Sequence, residues 1–134
     1  MALAYLDSSA LVKLVSAEAE SEALATYLDG RDDALAASVV AGVEVVRAAR
    51  RIGGRTSAEE ERARDLISTL LLIELDEAVV AEAIDAEPAT LRSLDAIHLA
   101  TALSVRGDVS AFVTYDERLA EAAKGAGLVV ATPV

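Results

Sequence analysis

A chain of 134 residues has the length of one ordinary domain, enough to bury roughly 65–70% of its unfolded surface around a single core, and residues 1–134 are read as one unit. Its apolar fraction of 54% contains no run near the ~18 residues of a membrane span, and zero cysteines exclude disulfides and thiolate metal sites, so a cytoplasmic location without membrane attachment is the expectation. A formal net charge of −11 opposes binding to a polyanion unless cations cluster locally or metal ions screen the acids.

In chain order, MALAYLD lacks a basic leading region, which argues against a secretory signal, and Ala2 to Leu6 reads as a short buried strand. Ser8 or Ser9 can cap a helix through LVKLV, and a second helix from about Glu18 to Leu28 stops at Asp29-Gly30. Ala34 to Ala37 suits a second strand. Ser38 caps Val39 to Ile52, which closes at Gly53-Gly54, and Ser57 with Glu60 forms a capping box for a helix through Leu71. Leu72 to Leu75 reads as a third strand, Glu77 to Asp85 as a helix, and Pro88 as a break. A helix from Ser93 runs to Gly107, Ala111 to Thr114 supplies a fourth strand, Asp116 opens a helix through Ala123, and Leu128 to Ala131 is the last strand. Alternation of strands and helices predicts an α/β fold, a mostly parallel central sheet with helices on both faces.

Four acids stand at the edges of apolar segments: Asp7, Glu44, Asp95 and Asp116. In a sheet of this kind the ligand crevice lies beyond the carboxyl ends of the strands, and each acid is placed to reach it. A cluster of ionised carboxylates in a cleft repels itself and raises its own pKa values unless it shares a proton or binds a hard dication, so the pattern points to Mg²⁺ or Mn²⁺ and metal-assisted hydrolysis. Each acid also has a structural reading. Asp7 and Asp116 suit helix caps, Asp95 is favourable in a helix first turn, and only Glu44, between Val43 and Val45, resists this account. His98, three residues after Asp95, fits packing or hydrogen bonding better than a ligand role, and Lys13 is either solvated or directed towards the acids. The concentrated cations are Arg47, Arg50, Arg51 and Arg55 in RAARRIGGR, which either finish a helix or position a polyanion. With 3% aromatic residues, base stacking cannot dominate recognition of nucleic acid.

The segments YLDSSALVKL, GVEVV, SLDAIHLATAL and FVTYDERLAEAA resemble the PIN-domain family, most closely its bacterial VapC-type toxin ribonucleases, over nearly the whole chain. The resemblance implies a PIN-like three-layer sandwich and a metal-binding catalytic set of Asp7, Glu44, Asp95 and Asp116, with Ser9 and Thr114 as supporting hydroxyls. It further implies RNA phosphodiester hydrolysis with one or two Mg²⁺ or Mn²⁺ ions, leaving a 5′-phosphate. A VapB-type antitoxin and a homodimer are the implied partners, the apolar segments around Leu11 to Val15 and Leu24 to Leu28 being offered for the latter. Two other classes are distinguishable by sequence. A catalytically silent PIN-like module binding RNA or a basic protein would be marked by missing acids, and a phosphatase using Asp7 as nucleophile would need a second Asp where Ser9 stands.

Overall fold

Four consecutive buried residues, Leu3–Leu6, form β1, the central strand of a sheet in the computed structural model, which describes residues 1–134. The remaining elements follow as α1 (Ser8–Val15), α2 (Ser21–Asp29), β2 (Ala34–Ser38), α3 (Val39–Gly53), α4 (Ala58–Thr69), β3 (Leu71–Ile73), α5 (Glu77–Ile84), α6 (Ser93–Ser104), β4 (Val109–Val113), α7 (Glu117–Gly125) and β5 (Val130–Ala131). The five strands lie in the order β3-β2-β1-β4-β5, and every pairing is parallel rather than merely most of them. Parallel neighbours need crossovers, and the helices between strands supply them.

A strand buried on both faces sends alternate side chains into two cores. Ala4 and Leu6 of β1, with Ala111 and Val113 of β4, join Leu11, Leu24 and Val45 in one. Tyr5 and Phe112 point the other way, into a core with Leu99, Leu119 and Ala123. Tyr5 and Phe112 are paired in register, and their rings stack with centroids 5.2 Å apart. Each fully buried leucine contributes about 1.5–3 kcal/mol of transfer free energy. Helices α1 to α4 cover one face and α6 and α7 the other, which gives the three-layer sandwich.

Several local readings change. Of the three residues offered as the cap of α1, Asp7 takes the position rather than Ser8 or Ser9: Ala10 N donates to its Oδ1 at 3.0 Å. Ser57 caps α4 through Glu60 N at 3.1 Å, but the reciprocal half of the capping box is absent. The Glu60 carboxylate instead pairs with Arg50 of α3 and Arg64 of α4, clamping those helices together. Gly54 closes α3 with φ 89°, a conformation that an L side chain rarely adopts. Leu11, Val15 and Leu24 lie inside the subunit core, so of the two segments offered for a homodimer only partly buried side chains such as Leu14, Tyr27 and Leu28 reach the surface. No helix is long and apolar enough to cross a membrane.

Candidate active site

The chain runs from β1 outward through β2 to β3 and then returns to place β4 on the other side of β1. The carboxyl ends of β1 and β4 therefore flank the point where strand order reverses, the usual position of a ligand crevice in an open parallel sheet. Asp7 directly follows β1, and Thr114, Tyr115 and Asp116 directly follow β4. Asp7 N donates to Val113 O at 3.2 Å, which fastens the two ends to each other.

Asp7 is 3% exposed and accepts three hydrogen bonds: Ser9 Oγ (2.6 Å) and Ala10 N (3.0 Å) reach Oδ1, and Thr114 Oγ1 (2.6 Å) reaches Oδ2. Burial pushes its carboxyl above the ordinary value, and the donors from Ser9, Thr114 and Ala10, with the charge of His98, offset only part of that rise. Ser9 Oγ also accepts from Tyr115 N at 3.0 Å, and Thr114 Oγ1 accepts from Asp116 N at 3.1 Å. The two hydroxyls thus lock Asp7 to the loop that carries Asp116.

Asp116 caps α7, with Leu119 N donating to its Oδ1 at 2.9 Å, which leaves Oδ2 facing outward. Asp95 lies in the first turn of α6. The two acids are bridged by Arg92: Nε donates to Asp95 Oδ2 at 3.0 Å and Nη2 to Asp116 Oδ2 at 2.8 Å. Glu44, half-buried in the second turn of α3, accepts from Ser8 Oγ at 3.0 Å and from His98 Nε2 at 2.7 Å. Burial alone would raise the Glu44 carboxyl, but the hydrogen bond and charge of His98, with the Ser8 hydroxyl, hold it below the ordinary value. An ionised Glu44 requires the proton on His98 Nε2. The other ring nitrogen, Nδ1, lies 2.9 Å from Tyr5 Oη, accepting from the phenol in a neutral ring and donating to it in a charged one, and burial keeps that phenol protonated by raising its pKa.

Three of the four acids are linked by hydrogen bonds, and the fourth lies in an adjoining cluster with Ser8, His98 and Tyr5. Asp95, Arg92, Asp116, Thr114, Asp7 and Ser9 are joined hydrogen bond to hydrogen bond, and Glu44 attaches through Ser8, the residue between Asp7 and Ser9. No three Asp, Glu or His side chains close into a metal cage. The donor set nevertheless fits Mg²⁺ or Mn²⁺, since it consists of hard oxygen donors and such ions bind through one or two carboxylates while keeping several waters. A cation, the Arg92 guanidinium, already lies across two of those carboxylates.

Other sequence candidates fall elsewhere. Lys13 is engaged by Glu18 and Glu20 and lies 4.8 Å from the Tyr115 ring centroid, so its ammonium is not directed at the acids. Arg50 is held by Glu60, whereas Arg47, Arg51 and Arg55 are exposed without an ion pair. Glu44, Arg47 and Arg51 share one stripe of α3, so that stripe leads away from the acidic network. Sequence reasoning missed Arg92 and Tyr5. The spacing of Arg92 to Asp95 was the available signal for the former, while nothing local marks a tyrosine whose partner is 93 residues away.

A parallel sheet of this strand order, with carboxylates gathered at its switch point, is the architecture of a PIN-like α/β protein. Residues 4–125 match the PIN domain model, and the chain belongs to the PIN-domain family. Ribonuclease VapC47 of Mycobacterium tuberculosis is 42% identical over 132 residues, covering 96% of each chain. Ribonuclease VapC46 of the same species is 41% identical over 133 residues, covering 99% of each. Among solved structures, a toxin–antitoxin complex from Klebsiella pneumoniae superposes with a TM-score of 0.71 at 25% identity over 98% of both chains. Mycobacterium tuberculosis VapC20, described as a toxin that cleaves the sarcin–ricin loop, superposes with a TM-score of 0.75 over 98% of this chain and 100% of its own, and at 15% identity this likeness concerns the fold.

Proposed function

We propose that the protein is a VapC-type toxin, a metal-dependent endoribonuclease that hydrolyses RNA phosphodiester bonds and is restrained by a VapB-type antitoxin. The observation that carries this reading is the hydrogen-bonded network uniting Asp7, Asp95 and Asp116 at the carboxyl edge of β1 and β4, with Glu44 held beside it by Ser8, the chain neighbour of Asp7. Relatives more than 40% identical along the whole chain are named ribonucleases, which supports the same reaction class.

In the proposed reaction, Asp7, Asp95 and Asp116 would hold Mg²⁺ or Mn²⁺, with Glu44 as the fourth acid of the set. When bound, such an ion supplies positive charge for the developing phosphorane and lowers the pKa of water. Ser9 and Thr114 fix the orientation of Asp7, and the α7 N-terminus fixes Asp116. Glu44, kept ionised by His98 and Ser8, is suited to accept a proton from the attacking water. Arg47, Arg51 and Arg55 offer a cationic track for RNA beside Glu44, a role for which Arg50 is less suited because of its clamp to Glu60.

An acidic protein of net charge −11 complements a cationic inhibitor, and toxin–antitoxin complexes occur among the structural neighbours. A homodimer is proposed with them, using exposed apolar side chains such as Val80 and Ile84, one turn apart on α5, rather than the buried leucines of α1 and α2. A monomer at micromolar concentration in sedimentation removes the homodimer.

The test is cleavage of single-stranded RNA by the purified protein with Mn²⁺, compared with Asp7→Asn and with excess chelator. Cleavage by the wild type alone, dependent on the metal, is expected. RNA binding with no cleavage would instead identify a silent module.

A further inference from the structure

We propose that Arg92 is an exchangeable internal counter-cation: its guanidinium competes with the dication for Asp95 and Asp116, and once displaced it binds an RNA phosphate at the mouth of the site. This rests on the metal-dependent reading above and assigns a positioning role to a side chain outside the four acids.

The geometry is specific. Arg92 takes one oxygen from each acid, Oδ2 of Asp95 and Oδ2 of Asp116. The other Asp116 oxygen is held by Leu119 N, so Oδ2 is the atom that Asp116 can offer an ion while it caps α7. A dication at that oxygen and a guanidinium donating to it are alternatives. The two differ in freedom: Asp116 is fixed through its cap and through its own N–H to Thr114, and Asp95 sits in a helix, whereas the Arg92 side chain is 71% exposed and makes no other hydrogen bond to a side chain. The arginine is therefore the partner that moves.

What happens next follows from charge and tether. Arg92 stands at the N-cap of α6, immediately before the turn that carries Asp95. Displaced from the carboxylates, the guanidinium remains within a side-chain length of them, where the only counter-anion brought by the substrate is phosphate. Its planar fork, which suits two carboxylate oxygens here, suits two phosphate oxygens equally. The protein without metal is thereby spared part of the repulsion among its acids, and the loaded protein gains a cation directed at the substrate.

The experiment is Mn²⁺ titration calorimetry without RNA on the wild type, Arg92→Gln, Arg92→Lys and the charge-matched control Arg106→Gln, which lies past the opposite end of α6. Thermal melts verify folding, and KM for a single-stranded RNA is then measured at saturating Mn²⁺. We expect Arg92→Gln to bind Mn²⁺ about three- to tenfold more tightly, as for the loss of exposed ion pairs. Arg92→Lys, which keeps a charge but lacks the fork, should fall between, and Arg106→Gln should match the wild type. The KM of Arg92→Gln should rise by about tenfold. Unchanged or weaker Mn²⁺ binding by Arg92→Gln, or tightening shared by Arg106→Gln, overturns the competition. Tighter metal binding with an unchanged KM overturns the transfer to phosphate. A wild type that takes up no Mn²⁺ removes the metal reading itself, an outcome distinct from wild-type uptake that Arg92→Gln leaves unaltered.

Discussion

Replacing Asp7 by Asn removes a charge while keeping a shape, and its expected effect on stability is opposite to its effect on catalysis. The carboxylate is 3% exposed and its pKa is raised because burial outweighs the hydrogen bonds from Ser9, Thr114 and Ala10. In Asp7→Asn the amide oxygen can keep the bonds from Ser9 and Ala10, and the amide nitrogen faces Thr114 Oγ1, which can turn to accept. Three charge-assisted bonds reduced to neutral ones lose about 1 kcal/mol each, whereas the buried charge itself costs several kcal/mol. Since burial prevails in the folded protein, the metal-free variant should be more stable at pH 7 by about 1–2 kcal/mol, a rise in Tm of roughly 3–8 °C. The pH dependence has a definite sign. With the folded pKa above the ordinary 3.8, the unfolded chain releases its proton first as pH rises, so the wild type loses stability between that value and its raised folded pKa and keeps the deficit above it. The advantage of Asn should vanish near pH 3 and grow as pH rises above the ordinary carboxylate value. Calorimetric melts in chelator across this range measure it. A variant less stable than wild type at pH 7, or a gap independent of pH, refutes the reasoning.

Three further outcomes follow from the same structure. His98→Ala empties a site that is 1% exposed and strips partners from Tyr5 and Glu44, so a loss of about 2–4 kcal/mol in denaturant unfolding is expected. Arg47→Glu combined with Arg51→Glu should weaken RNA cleavage and lower the magnitude of its log–log salt slope by about 1.4, near 0.7 for each lost phosphate contact, and an unchanged slope would remove the α3 stripe from RNA positioning. Ser57→Ala removes the cap on Glu60 N and should cost about 1 kcal/mol in thermal unfolding with cleavage unaltered, because α4 carries none of the acids.

Features written in neighbouring residues were legible in the sequence. The apolar run ending at Asp7 is β1, Ser38 and Ser57 cap α3 and α4, and Asp116 opens α7. The third, fourth and last strands were misplaced by one or two residues, since their bounds depend on partners: Val109 extends β4 by pairing with Leu3, next to a register shift, and β5 is only Val130–Ala131. What was not legible is what depends on the approach of distant segments. Glu60 could not be assigned to Arg50 instead of its capping box without knowing that α3 and α4 pack together. Arg92 was overlooked although its spacing to Asp95 was a local signal, and only the return of β4 beside β1 brings Asp116 within 2.8 Å of it. The ring of Tyr5 reads as core, and its hydroxyl acquires a role only where α6 lays His98 against it.

The measurement closest to the centre of these proposals is 5′-end mapping of total cellular RNA after incubation with the purified protein and Mn²⁺, with Asp7→Asn and chelator as parallel samples. We expect discrete new ends that carry a 5′-phosphate, appear with the wild type and metal only, and are lost in both parallel samples. Ends that persist in Asp7→Asn at the wild-type level, or an RNA population left intact by a folded, manganese-loaded protein, would contradict the assignment of the acidic network as a hydrolytic site.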